Sequence, residues 1–224
     1  MSLVLAFDVY GTLINTQGLV PELEASIGSK AEVFSQRWRE KQLEYAFRRG
    51  LMQFYQDFSV CTKDALEYTC LEMETPLTQL QKNELLQAYA SLPAFDDVKP
   101  ALAQLKEAGV QLYAFSNGTK AAVTRLLEHA GIHDYFIDIV SVEELQTFKP
   151  NPSVYQLFLD KTGAEKTNTW LISSNSFDLI GALSFGFNAA WVKRSDKAIF
   201  DPWGMMPSLT VSELGELAEF VVSK

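Results

Sequence analysis

Four short polar clusters in this 224-residue chain fall just past stretches that read as strands or as completed β-units. Asp8 ends the run Leu3-Val4-Leu5-Ala6-Phe7 and opens Val9-Tyr10-Gly11-Thr12-Leu13. The others are Ser116-Asn117-Gly118, Lys149-Pro150, and Ser173-Ser174-Asn175-Ser176-Phe177-Asp178. An apolar run such as residues 3–7 reads as a buried parallel strand. Open α/β sheets bind ligands outside the carboxyl ends of their strands, so Asp8 presents a carboxylate to such a site. Gly11 allows a tight turn there, and Thr12 adds a hydroxyl. A Ser-Asn-Gly turn that opens a helix offers free backbone N–H groups to an anion. Each cluster also has an ordinary structural use: a strand-ending Asp, a common turn, a solvated Lys, an N-cap. Their convergence on one edge of one sheet is what points to chemistry.

The elements that position these clusters follow from pattern and punctuation. Strands are expected at residues 3–7, 110–115, 136–141, 169–173, 189–192 and 209–211. Between them lie helices at 100–108, 120–130, 152–162 and 178–185, closed by Gly109, Gly131, Gly163 and Gly186, with a last helix from Glu213. Repeated βα units with short connections mean a doubly wound parallel sheet. Residues 15–95 break the alternation. They read as helices at 21–27, 31–55, 64–73 and 78–91 with no convincing strand, which makes them an inserted helical cap. The expected organisation is an α/β core of residues 1–14 and 96–224 around a cap of residues 15–95. Asn15-Thr16-Gln17-Gly18 and Leu92-Pro93-Ala94 are the two crossings.

Bulk properties narrow the partners. With 19 Lys and Arg against 28 Asp and Glu, the formal charge of −9 argues against nucleic acid or an anionic membrane. It leaves room for a small anion, because a few local cations reverse the potential inside a cleft. Cys61 and Cys70, the only cysteines, are expected to be free and buried in such an acidic, loop-poor chain. No basic, signal-like leader precedes the first strand and no apolar stretch is long enough to span a bilayer, so a cytoplasmic enzyme is the expectation.

With these residues in place, the sequence resembles the haloacid dehalogenase superfamily. That family's pattern is an Asp nucleophile after the first strand, Ser or Thr after the second, a Lys, and a polar or acidic loop. Within the superfamily it resembles the L-2-haloacid dehalogenases. Phe7-Asp8-Val9-Tyr10-Gly11-Thr12-Leu13, Trp38-Arg39-Glu40-Lys41-Gln42-Leu43-Glu44-Tyr45, Ser116-Asn117-Gly118, Lys149-Pro150 with Tyr155, and Ser173-Ser174-Asn175-Ser176-Phe177-Asp178 all fit that subgroup. The Trp-Arg run is the most specific, since it lies in the cap, where members diverge most. Magnesium-dependent phosphatases of the superfamily carry a second Asp two residues after the nucleophile; here that position is Tyr10, and Ser174 stands at the first acidic position of the fourth loop. Mg²⁺ favours octahedral oxygen coordination that includes carboxylates, so no metal and no other cofactor is expected, with Lys149 in the cation's role.

The resemblance implies hydrolysis of short L-2-haloalkanoic acids to D-2-hydroxy acids, with inversion at carbon 2 through an Asp8 ester. It assigns the substrate carboxylate to Ser116 and neighbouring N–H groups, and the departing halide to Arg39 and Asn117. Tyr10, Leu43, Phe58 and Phe177 form the apolar wall. Phe177 stands where the family commonly has Trp, which removes an indole N–H from the halide's surroundings. Asp178, Asn175 and Ser173, with help from Lys149, orient or activate the hydrolytic water; Thr12 and Tyr155 support them. The competing readings are a magnesium-dependent phosphatase with a degenerate site, opposed by Tyr10, and a non-catalytic binding protein, opposed by the completeness of the cluster. The family's habit and the apolar cap faces imply a homodimer.

Overall fold

Strand β1 (Val4–Phe7) is buried at every position because it runs through the middle of a parallel sheet, with layers on both faces. The computed structural model describes residues 3–223. Met1, Ser2 and Lys224, which the sequence reading gave to the core, lie outside the described residues. The sheet continues with β2 (Gln111–Ser116), β3 (Asp138–Ser141), β4 (Thr169–Ser173), β5 (Asn188–Val192) and β6 (Leu209–Val211). All neighbours pair in parallel, in the order β3-β2-β1-β4-β5-β6. The chain winds one way from β1 to β3 and then returns to the other side of β1. The order therefore reverses between β1 and β4, the place where open α/β sheets leave a crevice.

Between residues 16 and 89 the described elements are helical: α1 (Val20–Ile27), α2 (Ala31–Leu51), α3 (Phe58–Glu72) and α4 (Gln79–Tyr89), with short 3₁₀ turns before α1 and α2. The segments entering and leaving them run side by side. Asn15 N–H donates to the Pro93 carbonyl at 2.8 Å and Phe95 N–H to the Leu13 carbonyl at 3.0 Å. Alternation then resumes with α5 (Val98–Glu107), α6 (Lys120–His129), α7 (Pro152–Thr162), α8 (Ser176–Phe185) and α9 (Leu214–Val222). Local chemistry sets these boundaries. Thr119 and Asn151 accept N–H bonds at the starts of α6 and α7, Pro152 occupies the first turn of α7, and Gly163 closes that helix in the left-handed region.

Several boundaries differ from the sequence expectation. Helix α2 stops at Leu51 rather than at residue 55, since the chain turns through Gln53 at φ +54°. Helix α3 begins at Phe58 rather than 64, because the Asp57 side chain accepts the N–H groups of Ser59 and Val60 and starts the helix six residues earlier. Strand β3 begins at Asp138 rather than 136, the preceding residues being taken up by a 3₁₀ turn at His133–Tyr135. Cys61 and Cys70 are both free and buried. Among the described residues no helix is long and apolar enough to cross a membrane.

Beneath the site, Phe158 of α7 packs its ring against Tyr113, Phe115 and Phe187, with centroids 5.2 to 6.1 Å apart. Phe115 comes from β2, the strand that leads into Ser116. Replacing Phe158 by Ala should cost about 3–5 kcal/mol, the usual penalty for emptying a core aromatic site. Urea unfolding monitored by circular dichroism measures it.

Candidate active site

At the end of β1 the backbone leaves the sheet in a tight turn: Gly11 sits at φ +85° and its N–H donates to the Ile14 carbonyl at 2.9 Å. That conformation is available to glycine without strain. It brings Thr12 back beneath Asp8, so that the Thr12 hydroxyl donates to Asp8 Oδ2 at 2.9 Å. The same hydroxyl oxygen accepts the Ser174 N–H at 2.8 Å, which ties the loop after β1 to the loop after β4. Asn175 adds a 2.8 Å bond from Nδ2 to Asp8 Oδ2, and the Ser173 hydroxyl a longer one at 3.4 Å.

The two oxygens of Asp8 are thus dressed very differently. Oδ2 collects three donors; Oδ1 meets only the Lys149 ammonium, at 3.4 Å. Asn175 occupies the N-cap position of α8, yet its side chain makes no cap bond and is turned to the carboxylate instead. Asn is among the best N-cap residues, so its diversion here marks a choice of site over helix.

Lys149 is 1% exposed and Asp178 fully buried. The ammonium donates to Asp178 Oδ2 at 2.8 Å and to the Phe115 carbonyl at 2.8 Å, and lies 4.1 Å above the Phe115 ring. Its three N–H groups therefore have three acceptors. Burial pushes the Asp178 carboxyl up to about 6, with the charge of Asp8 adding to the rise and Lys149 opposing it. Tyr155, also buried, donates to Asp178 Oδ1 at 3.1 Å and to its carbonyl at 3.0 Å. Burial beside that carboxylate holds the phenol far above its ordinary range.

The residues expected to face a halide come from both layers. Arg39 of α2 reaches the loop after β1, donating to the Tyr10 carbonyl at 3.2 Å and to Gln42 Oε1 at 2.6 Å. Among the described residues no carboxylate pairs with it, so a full positive charge is held by neutral acceptors beside Asp8. Asn117 accepts the Lys149 N–H through Oδ1 at 2.9 Å, which leaves its NH₂ as the donating end. The buried Ser116 hydroxyl accepts the Gly118 N–H at 3.0 Å. Tyr10 stacks on Tyr89 at 5.7 Å and leans on Phe58 at 5.6 Å, forming an apolar wall over the loop.

Two expected members of that wall stand apart from these contacts. Leu43 is half-buried one helical turn past Arg39. Phe177 sets its ring against Phe47 of α2 at 5.0 Å, lining a cavity of about 460 Å³ with Phe148, Lys149, Pro150 and Trp203. The structure also adds residues to which the sequence reading gave no role. Gln42 accepts from both Arg39 and Tyr89 while donating to Thr62, which fixes the guanidinium. Gly181 lies so close to Tyr155 that an added Cβ would sit 2.3 Å from its hydroxyl. Gln42 lies within the Trp38–Tyr45 run, so a signal existed; Gly181 carried none, since a mid-helix glycine has many explanations.

The donor set does not fit a divalent metal. The place between Asp8 and Asp178 is taken by the Lys149 ammonium, and a dication there would face that charge across the same two carboxylates. Among the described residues no group of three or more His, Cys, Asp or Glu could hold an ion.

Comparison with known proteins gives a consistent likeness. The model of the haloacid dehalogenase-like hydrolases matches residues 3–186. An (S)-2-haloacid dehalogenase of Pseudomonas sp. (strain YL) is 34% identical over 215 residues, which are 96% of this chain and 92% of that protein. The L-2-haloacid dehalogenase of Xanthobacter autotrophicus superposes with a TM-score of 0.89 at 31% identity, covering 99% of this chain and 98% of the other. Its structure with chloropropionic acid covalently bound has a TM-score of 0.89 at 30% identity and the same coverage.

Two outcomes are expected from this geometry. Gly181→Ala should cost about 1–3 kcal/mol through overpacking, because its Cβ would lie 2.3 Å from the Tyr155 hydroxyl and 2.6 Å from Pro150 Cβ; urea midpoints measure the loss. For Asp178, a carboxyl pKa raised in the folded state favours the protonated form there. Its contribution to stability is therefore full below its ordinary pKa of 3.8 and is lost as pH rises through about 6. Unfolding midpoints between pH 4 and 7 should fall more steeply with pH in the native protein than in Asp178→Asn.

Proposed function

Since the chain belongs to the haloacid dehalogenase-like hydrolases, among their L-2-haloacid dehalogenases, we propose that it hydrolyses short L-2-haloalkanoic acids to D-2-hydroxy acids through an ester on Asp8. The observation that carries the reading is the unequal dressing of Asp8: three donors hold Oδ2, and Oδ1 keeps a single long contact. A carboxylate held in this way is oriented and still has one oxygen to attack with.

In the first step Oδ1 attacks carbon 2, and the carbon–halogen electron pair leaves with the halide. Attack from the side opposite the leaving group inverts that carbon. The departing charge is received by Arg39 and the Asn117 NH₂, donors already in position. Ser116 and neighbouring backbone N–H groups hold the substrate carboxylate, and Tyr10, Phe58, Leu43 and Phe177 enclose the alkyl side.

In the second step Oδ2 is the carbonyl oxygen of the new ester. Thr12, Ser173 and Asn175, which already donate to it, support the negative charge that grows there when water adds to the Asp8 carboxyl carbon. Asp178 takes a proton from that water, a task suited to a carboxyl pushed up to about 6. Collapse of the adduct breaks the bond between the Asp8 carboxyl carbon and Oδ1; the product oxygen takes up a proton and Asp8 is restored. The net products are the hydroxy acid, halide and one proton. Lys149 keeps Asp8 and Asp178 at a fixed separation throughout, and no metal takes part in this scheme.

The reading extends to a cytoplasmic homodimer. Two free buried thiols support the compartment, and exposed Leu51, Met52 and Phe54 at the end of α2 support the pairing.

A single turnover in H₂¹⁸O with enzyme in excess tests the scheme. The label should enter the Asp8 carboxylate, leave the first-turnover product unlabelled, and appear only with the L enantiomer of 2-chloropropionate, with or without EDTA. Asp8→Asn should release no chloride. Label in the first-turnover product would mean direct attack by water and would overturn the ester route.

A further inference from the structure

Arg194 lies beyond residue 186, where the family match ends, on the segment just after β5. Its guanidinium spans three parts of the molecule. One terminal nitrogen donates to Asp97 Oδ2 at 2.7 Å, the other donates to the Thr12 carbonyl at 2.7 Å, and the plane lies 4.1 Å over the Phe95 ring. Asp97 Oδ2 also accepts the Leu214 N–H at 2.7 Å, which fastens the start of α9 to the same point.

The residues it holds are the junction between helices and sheet. Thr12 is in the outgoing segment, Phe95 and Asp97 in the returning one, and Phe95 N–H is itself bonded to the Leu13 carbonyl. Thr12 is thus gripped at both ends: its carbonyl by Arg194, its hydroxyl by Asp8 and the Ser174 N–H. An ion pair with Asp97 needs no second arm on a backbone carbonyl of the nucleophile loop. The rigid two-pronged fork of arginine joins Asp97 and Thr12, whereas a lysine ammonium is a point charge that satisfies one of them well.

We propose that Arg194 is a positioning residue for the nucleophile, acting through Thr12 on the Oδ2 side of Asp8 while it fixes the junction on which the helical segment is mounted. The inference rests on the dehalogenase reading for its kinetic test and on geometry alone for its structural one.

The experiment is a double-mutant cycle on kcat for L-2-chloropropionate, using Arg194→Lys and Thr12→Val in protein whose circular dichroism spectrum matches that of the native enzyme. Each single change should lower kcat about 10- to 100-fold, the scale of an ångström-level displacement at a reacting group, with KM little altered. The double variant should lose no more than the worse single variant, since both act through one contact. Full additivity, or an Arg194→Lys enzyme that melts lower and turns over normally, would overturn the proposal. A crystal structure of Arg194→Lys gives a readout independent of turnover. Displacement of the Thr12 hydroxyl from Asp8 supports the inference, and an unchanged 2.9 Å contact sinks it. If the native enzyme released no halide, the functional reading would fail while this structural result still decided the role of Arg194.

Discussion

Lys149 places one positive charge between the fully buried Asp178 and Asp8, which keeps only an edge exposed. Taking such charges out of water costs on the order of several kcal/mol per ion, recovered only when geometry and surrounding hydrogen bonds are good. The cluster meets that condition through neighbours chosen for it: the Phe115 carbonyl takes the third ammonium N–H, Tyr155 serves the far oxygen of Asp178, and Thr12, Ser173 and Asn175 serve Asp8. Asp178 is the more deeply buried carboxyl, and burial, with the charge of Asp8 adding to it and Lys149 opposing it, makes it hold its proton more tightly. The packing beneath the site follows from the same demand, because the carbonyl, ring and helix that hold Lys149 have to be rigid.

The loops at this edge give up local structure to serve the cluster. Asn175 has the residue type and position of an N-cap, and spends its side chain on Asp8 and the Tyr10 carbonyl. Arg39 is carried by a long helix outside the sheet, and it too ends on the Tyr10 carbonyl. One backbone oxygen two residues past Asp8 is therefore where the helical segment, the first loop and the fourth loop meet. The contact joins a mobile type of side chain to a fixed acceptor, and the Gln42 and Tyr89 bonds behind it remove the freedom that a surface arginine would have.

This arrangement explains why Tyr10 matters beyond being the wrong residue for a metal. Its ring, stacked between Tyr89 and Phe58, covers the loop with an apolar surface, while its backbone carbonyl gathers the donors. A carboxylate in the same place would bring a further negative charge within reach of Asp8 and Asp178, with only Lys149 to balance it. The apolar cover over the loop and the lack of a second carboxylate two residues past Asp8 both follow from the one side chain at Tyr10.

The sequence by itself determined the sheet, the helices that alternate with it, and the identity of the residues at its carboxyl edge. Apolar runs bounded by glycines and turn residues are local signals, and a strand that ends on Asp8 places that carboxylate at the edge whatever surrounds it. The run from Trp38 to Tyr45 likewise carried its own signal, singling out Arg39 by its resemblance, and Arg39 donates to the Tyr10 carbonyl. Where α2 ends and α3 begins was less legible, because one left-handed residue at Gln53 and one side-chain cap at Asp57 decide it. Tertiary structure alone decided which oxygen of Asp8 collects three donors and which only a long contact to Lys149, that Asn175 serves the carboxylate rather than its helix, and that Phe177 turns to Phe47. It alone set Gly181 against Tyr155 and Arg194 against the Thr12 carbonyl. These outcomes depend on distances between residues as much as 182 positions apart, as in the Arg194 bond to the Thr12 carbonyl. Such distances arise only once the sheet has reversed its order and the helical segment has closed over it.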